Sequence, residues 1–106
     1  MEVQRIKYER TGGFTGIRFS ADFQPDDLPD EQARTLLDLL DEMDFNELPE
    51  DLTGHSSHPD QFMYTITVET VQGEHTIVVG DVSAPEEMQQ LLRLLDRIAR
   101  RKGSAS

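Results

Sequence analysis

Cysteine and tryptophan are absent from this chain, basic residues are scarce, and no uncharged apolar run is longer than a few residues. Without cysteine there is neither a disulfide framework nor a thiolate metal site, as expected of a protein kept in a reducing compartment. Nothing approaches the roughly 20 apolar residues needed to cross a bilayer, and the start Met1-Glu2-Val3-Gln4-Arg5 lacks the apolar segment of a signal peptide. The expectation is a soluble, cytoplasmic protein without a membrane partner.

Ten basic residues stand against 21 acidic ones, for a net charge of −11, and the layout says more than the total. Asp22 to Asp51 holds twelve acidic residues and one basic one, Arg34, whereas Arg93 to Lys102 holds five basic residues against Asp96. An acidic middle repels phosphates, which argues against nucleic acid as a partner. Arg100, Arg101 and Lys102 stand where a helix should end, and cations there complement the negative end of its dipole.

The 106 residues fit one compact domain over residues 1–102, large enough to bury about two-thirds of its unfolded surface, with residues 103–106 as a disordered tail. Glu2 to Arg10 reads as a first strand with Ile6 and Tyr8 on one face; Val3 breaks the alternation and suggests a bulge or a frayed start. Ile17, Phe19 and Ala21 alternate with polar residues as a second strand. Between the two lies Gly12-Gly13-Phe14-Thr15-Gly16-Ile17, three glycines and an aromatic ring in six residues. This is either a turn whose Phe14 folds back onto the core or a presented contact surface.

Asp27 is a cap candidate and Pro29 suits a first helical turn, after which Ala33, Leu36, Leu37, Leu40 and Met43 recur at helical spacing. Phe45 and Leu48 read as anchors that tuck the helix end onto the core. Pro49 to Gln61 has no periodicity and reads as a loop. Phe62, Tyr64, Ile66 and Val68 form the clearest strand, Gln72-Gly73 a tight turn, and His75, Ile77 and Val79 one face of the returning strand. Ser83-Ala84-Pro85-Glu86 matches a capping box before a helix striped by Met88, Leu91, Leu92, Leu95, Ile98 and Ala99. The order ββαββα predicts an α+β fold, a four-stranded antiparallel sheet with two helices packed on one face. Leu36 to Leu40 and Leu91 to Leu95 both fit a short LxxLL partner-helix pattern, yet these leucines are needed as core.

Chemistry needs a nucleophile with a base, a metal cluster, or carboxylates in a dry cleft, and none is visible. The sequence has no HExxH, no glycine-rich phosphate loop opening a helix, and no GxSxG turn. His55 and His58 beside Asp60 lack a further ligand of definite spacing and read as surface loop residues. His75 reads as a strand histidine bonded to a neighbour, and Asp38, Asp41 and Glu42 as a solvated helix face. The expectation is a protein that is not an enzyme, with no metal and no cofactor. If successive elements run antiparallel, the Gly12 to Gly16 turn, the Pro49 to Gln61 loop and the Asp81 to Ala84 connection emerge at one end of the domain, as one rim able to bind a partner.

Arg10-Thr11-Gly12-Gly13-Phe14-Thr15-Gly16-Ile17, Asp44-Phe45 with Leu48-Pro49, Pro59-Asp60-Gln61-Phe62-Met63-Tyr64-Thr65-Ile66-Thr67-Val68, and Gly73-Glu74-His75-Thr76, in that order, resemble the emfourin family of inhibitors of thermolysin-like metallopeptidases. The likeness runs from Val3 to about Ile98. It implies an intracellular protein that binds a thermolysin-like protease at its substrate cleft and blocks it; separately, two complete amphipathic helices and four strands without a ligand set lead to the expectation of a monomer. With the rim as the binding surface, the expected contact residues are Gly12, Gly13, Phe14, Thr15 and Gly16, with Gly54, His55, Ser56, Ser57, His58 and Asp60. Phe14 would be the anchor, since such enzymes prefer a large apolar side chain after the scissile bond and aromatic anchors are common hot spots. A zinc ligand donated by His55, His58 or Asp60 is compatible with this picture, although occlusion demands less. Two other classes remain: a regulatory or self-associating binding module that uses the same rim without a protease, and a small enzyme of unrecognised type.

Overall fold

The computed structural model describes residues 2–12, 19–52, 62–80 and 84–101. Among them are the strands β1 (Val3–Gly12), β2 (Phe19–Phe23), β3 (Asp51–Leu52), β4 (Phe62–Thr70) and β5 (Gly73–Gly80), and the helices α1 (Asp30–Glu42) and α2 (Glu86–Arg101). The strands make one sheet in the order β2-β1-β4-β5-β3. Its four longer strands pair antiparallel, and β3 pairs parallel to β5, with Leu52 beside Val79. The fold is α+β, as the sequence predicts, but the sheet is five-stranded and mixed and the order is ββαβββα.

The added strand has a physical origin in the chain after α1. Asp44 takes a left-handed conformation, φ 49°, and opens a 3-10 turn over Phe45–Glu47 that buries Phe45. From there the chain follows the free edge of β5. The Leu48 carbonyl lies 2.8 Å from His75 Nε2, and the Val78 amide donates to the Glu50 carbonyl at 2.8 Å. Two residues of ladder follow. A strand that short has no legible alternation, so the expected loop from Pro49 contains a parallel edge strand.

Period-two alternation sorts the sheet into two faces. Ile6, Tyr8, Ala21, Phe23, Tyr64, Ile66, Val68, Ile77 and Val79 are buried on one of them. Leu36, Leu39 and Leu40 of α1 join the same core, as do Met88, Leu91, Leu92, Leu94, Leu95, Ile98 and Ala99 of α2. Leu37, expected at the centre of the α1 stripe, is only half buried, while Leu39 is buried. It lines a shallow groove with Pro25, Leu28, Ala33 and Arg34 instead. The other face of the sheet carries Lys7, Asp22, Thr65, Thr67 and Thr76, with Thr67 and Thr76 hydroxyls 2.8 Å apart across β4 and β5. Ion pairs Arg5–Asp22 and Lys7–Glu69 also cross this face, and their exposure leaves them minor contributors.

The turns follow from local chemistry. The β1–β4 register shifts between Val3 and Arg5, an irregularity where the broken alternation predicts a bulge or a frayed start. Asp27 does not cap α1: its carboxylate accepts from the Gln24 amide at 2.9 Å and closes a 3-10 turn over Pro25–Asp27, and α1 starts after Pro29 with Asp30 and Glu31 in its first turn. Thr70 pairs with Gly73, so the hairpin loop is Val71-Gln72, and Gly73 takes φ +136°, a conformation costly for residues with a side chain. Ser83 of the expected capping box lies outside the described residues; at α2 the Gln89 side chain donates to the Ala84 carbonyl at 3.0 Å.

Candidate functional site

The register brings the anchors of three segments to one end of the sheet. Gly12, where β1 ends, pairs with Phe62, where β4 begins; Met63 pairs with Gly80, where β5 ends; and Leu52, where β3 ends, pairs with Val79. Phe19 opens β2 beside Arg10, at the same end. Residues 13–18, 53–61 and 81–83 are therefore flanked by residues of this edge, although α1 does not run into it as the antiparallel argument expects: Asp41 and Asp44 lie beside the Val71-Gln72 turn at the other end, and the parallel strand β3 brings the chain to the edge. Of the expected contact residues, Gly12 is the last of β1. Gly13, Phe14, Thr15, Gly16, Gly54, His55, Ser56, Ser57, His58 and Asp60 lie outside the described residues.

Beneath this edge lies a polar network that sequence reasoning missed. Tyr8 and Arg10 follow Ile6 on the core face of β1, and α2 passes over them. The Tyr8 hydroxyl donates to Asp96 Oδ1, and Arg10 Nη1 donates to Asp96 Oδ2 at 3.2 Å. Burial, and then the hydrogen bond to Asp96, raise the Tyr8 hydroxyl well above its ordinary value, so it stays a donor. The Tyr8 and Tyr64 rings lie 6.0 Å apart at 32°. The Arg10 guanidinium sits over the Phe62 ring, 4.7 Å from its centroid. The signal for this cluster was present: an arginine in the i, i+2, i+4 series Ile6, Tyr8, Arg10, and one acidic residue, Asp96, inside the basic run of α2.

The Arg10 and Asp96 side chains are only 13% and 21% exposed, so the pair is partly desolvated. A small groove of about 240 Å³ beside it is lined by Tyr64, Gln89, Leu92, Arg93 and Asp96. The opposite end of the sheet differs in character: a groove of about 410 Å³ lies among Glu2, Asp41, Asp44, Glu47 and the Val71-Gln72 turn. Among the described residues no group of three or more His, Asp or Glu side chains is arranged to hold a metal ion, and no helix is long and apolar enough to cross a membrane. His75, read as bonded to a neighbour, meets the Leu48 carbonyl as described and stands edge-on to Phe45, ring centroids 5.7 Å apart.

The emfourin family model matches residues 8–96, from one partner of the Tyr8–Asp96 hydrogen bond to the other. The chain belongs to the emfourin family. Among solved structures it is similar to emfourin (M4in) from Serratia proteamaculans, an M4 family peptidase inhibitor. Identity is 18% over 84% of this chain and 85% of that one, with a TM-score of 0.45. A search of curated proteins gives no match. Family membership agrees with the resemblance carried by the glycine run and the strand blocks.

Proposed function

We propose that this chain is a protein inhibitor of a thermolysin-like zinc metallopeptidase and that it blocks the substrate cleft with the end of the domain where β1, β4 and β5 present their anchors. Membership in the emfourin family carries this reading, since inhibition of an M4 family peptidase is the activity named for the Serratia member. The convergence of three segment anchors on one edge supports the location. On this reading the contacts come from Gly12, Gly13, Phe14, Thr15 and Gly16 and from Gly54, His55, Ser56, Ser57, His58 and Asp60.

The mechanism asks little chemistry of the inhibitor. A segment held at both ends by a sheet loses little further freedom on binding, and it resists the distortion that hydrolysis demands. Phe14 supplies an apolar anchor for the pocket beyond the scissile bond, and polar groups of residues 54–60 add contacts around it. The protein acts as a cytoplasmic monomer, needs no cofactor, and performs no turnover of its own. Titrating the purified chain against a thermolysin-like peptidase should give saturable inhibition, with apparent KM rising and kcat unchanged. Inhibition that lowers kcat alone would place the contact away from the cleft.

A further inference from the structure

Arg10 stands two residues before the end of β1 and diagonally across from Phe62, which opens β4 opposite Gly12. Gly12 offers that ring no side chain, and the guanidinium covers it instead at 4.7 Å. The same guanidinium is held by Asp96 of α2, whose other carboxylate oxygen accepts from Tyr8. One side chain thus touches the helix layer and the first residue of β4, from a position near the last residue of β1. We infer that Arg10 is a positioning residue for the inhibitory end of the domain, tying α2, through Asp96, to the strand ends at Gly12 and Phe62.

Three observations support a positioning role over direct contact. The Arg10 side chain is only 13% exposed, so little of it is open to a partner. Its guanidinium carbon lies over an aromatic ring while Nη1 meets a carboxylate, a combination a lysine ammonium cannot reproduce in the same way. The carboxylate itself is fixed from a second side by Tyr8, so the helix, not solvent, sets where the guanidinium lies. Strand ends held in this way lower the ordering cost that a binding segment would otherwise meet on association.

The functional half of this inference rests on the inhibitor reading above, so the test has two arms. Arg10→Lys and Asp96→Asn are compared with the unmodified chain by inhibition of a thermolysin-like peptidase and by amide hydrogen exchange at Thr11, Gly12, Phe62 and Met63 in the free protein. Each variant should weaken inhibition about tenfold, chiefly through faster dissociation, and speed exchange at these amides several-fold while the centre of β4 keeps its protection. The double variant should add little to either single change, because the two residues act as one unit. Loss of inhibition on Arg10→Lys with Asp96→Asn at full strength would make Arg10 a direct contact and overturn the inference. Unchanged exchange in both variants would overturn it as well. If the unmodified chain inhibits no thermolysin-like peptidase, the functional reading fails and exchange alone decides: acceleration retains the positional coupling, and unaltered rates remove it.

Discussion

His75 on β5 and Leu48, four residues beyond Asp44, are joined by a 2.8 Å contact between the imidazole Nε2 and the Leu48 carbonyl. A carbonyl can only accept, so Nε2 carries the proton and donates. This bond, with the edge-on contact to buried Phe45, holds the chain against β5 just before it becomes β3.

Replacing His75 by alanine leaves the Leu48 carbonyl without this donor and removes the ring from Phe45. The expected loss is about 1–3 kcal/mol of unfolding free energy, read by urea denaturation. An unchanged midpoint would show that the β3 edge holds without this contact.

The two adjacent leucines of α1 should respond differently. Leu36 is fully buried, and Leu36→Ala should cost about 2–5 kcal/mol through lost burial and the cavity left behind, as should Leu95→Ala in α2. Leu37 is half buried at a groove open to water, so Leu37→Ala should cost less than about 1.5 kcal/mol. Equal costs at positions 36 and 37 would mean that the helix is rotated about its axis.

Asp44 makes the left-handed turn that redirects the chain after α1. A β-branched residue cannot adopt that conformation without a clash, so Asp44→Val should destabilise by about 1–2 kcal/mol, while Asp44→Gly should not destabilise. Differential scanning calorimetry of the two variants distinguishes backbone strain from loss of the carboxylate.

Tyr8 links stability to alkaline pH. Its folded pKa lies above the ordinary value of 10.0, so the stability it contributes is complete below pH 10 and declines as pH rises beyond it, where the unfolded chain releases the proton and the folded chain retains it. Denaturant unfolding between pH 9 and 12 should show that decline, and Tyr8→Phe should make it shallower. A slope unaltered by Tyr8→Phe would assign the alkaline loss to other groups.

The sequence made the strands and α2 legible because their signals are long and periodic. β4 alternates over nine residues, and each of the six expected stripe residues of α2 is buried. β3 is not legible because two residues carry no period, and its pairing depends on the distant edge of β5. In α1 the run Leu36-Leu37-Asp38-Leu39-Leu40 fits more than one helical face, and only packing against α2 and the sheet selects Leu39 over Leu37. The meeting of Gly12, Phe62 and Gly80 at one end of the sheet was legible, because strand direction alone brings them there. The Tyr8, Arg10 and Asp96 network was not, since it joins residues 86 and 88 positions apart, a separation that no local pattern reports.

The most direct test of the account is a tight-binding titration of a purified thermolysin-like peptidase with the unmodified chain and with Phe14→Ala. The proposed function predicts competitive, saturable inhibition by the unmodified chain, and weakening by about 2 kcal/mol or more on Phe14→Ala if the ring fills a pocket. Full peptidase activity at saturating concentrations of the unmodified chain would contradict the proposal.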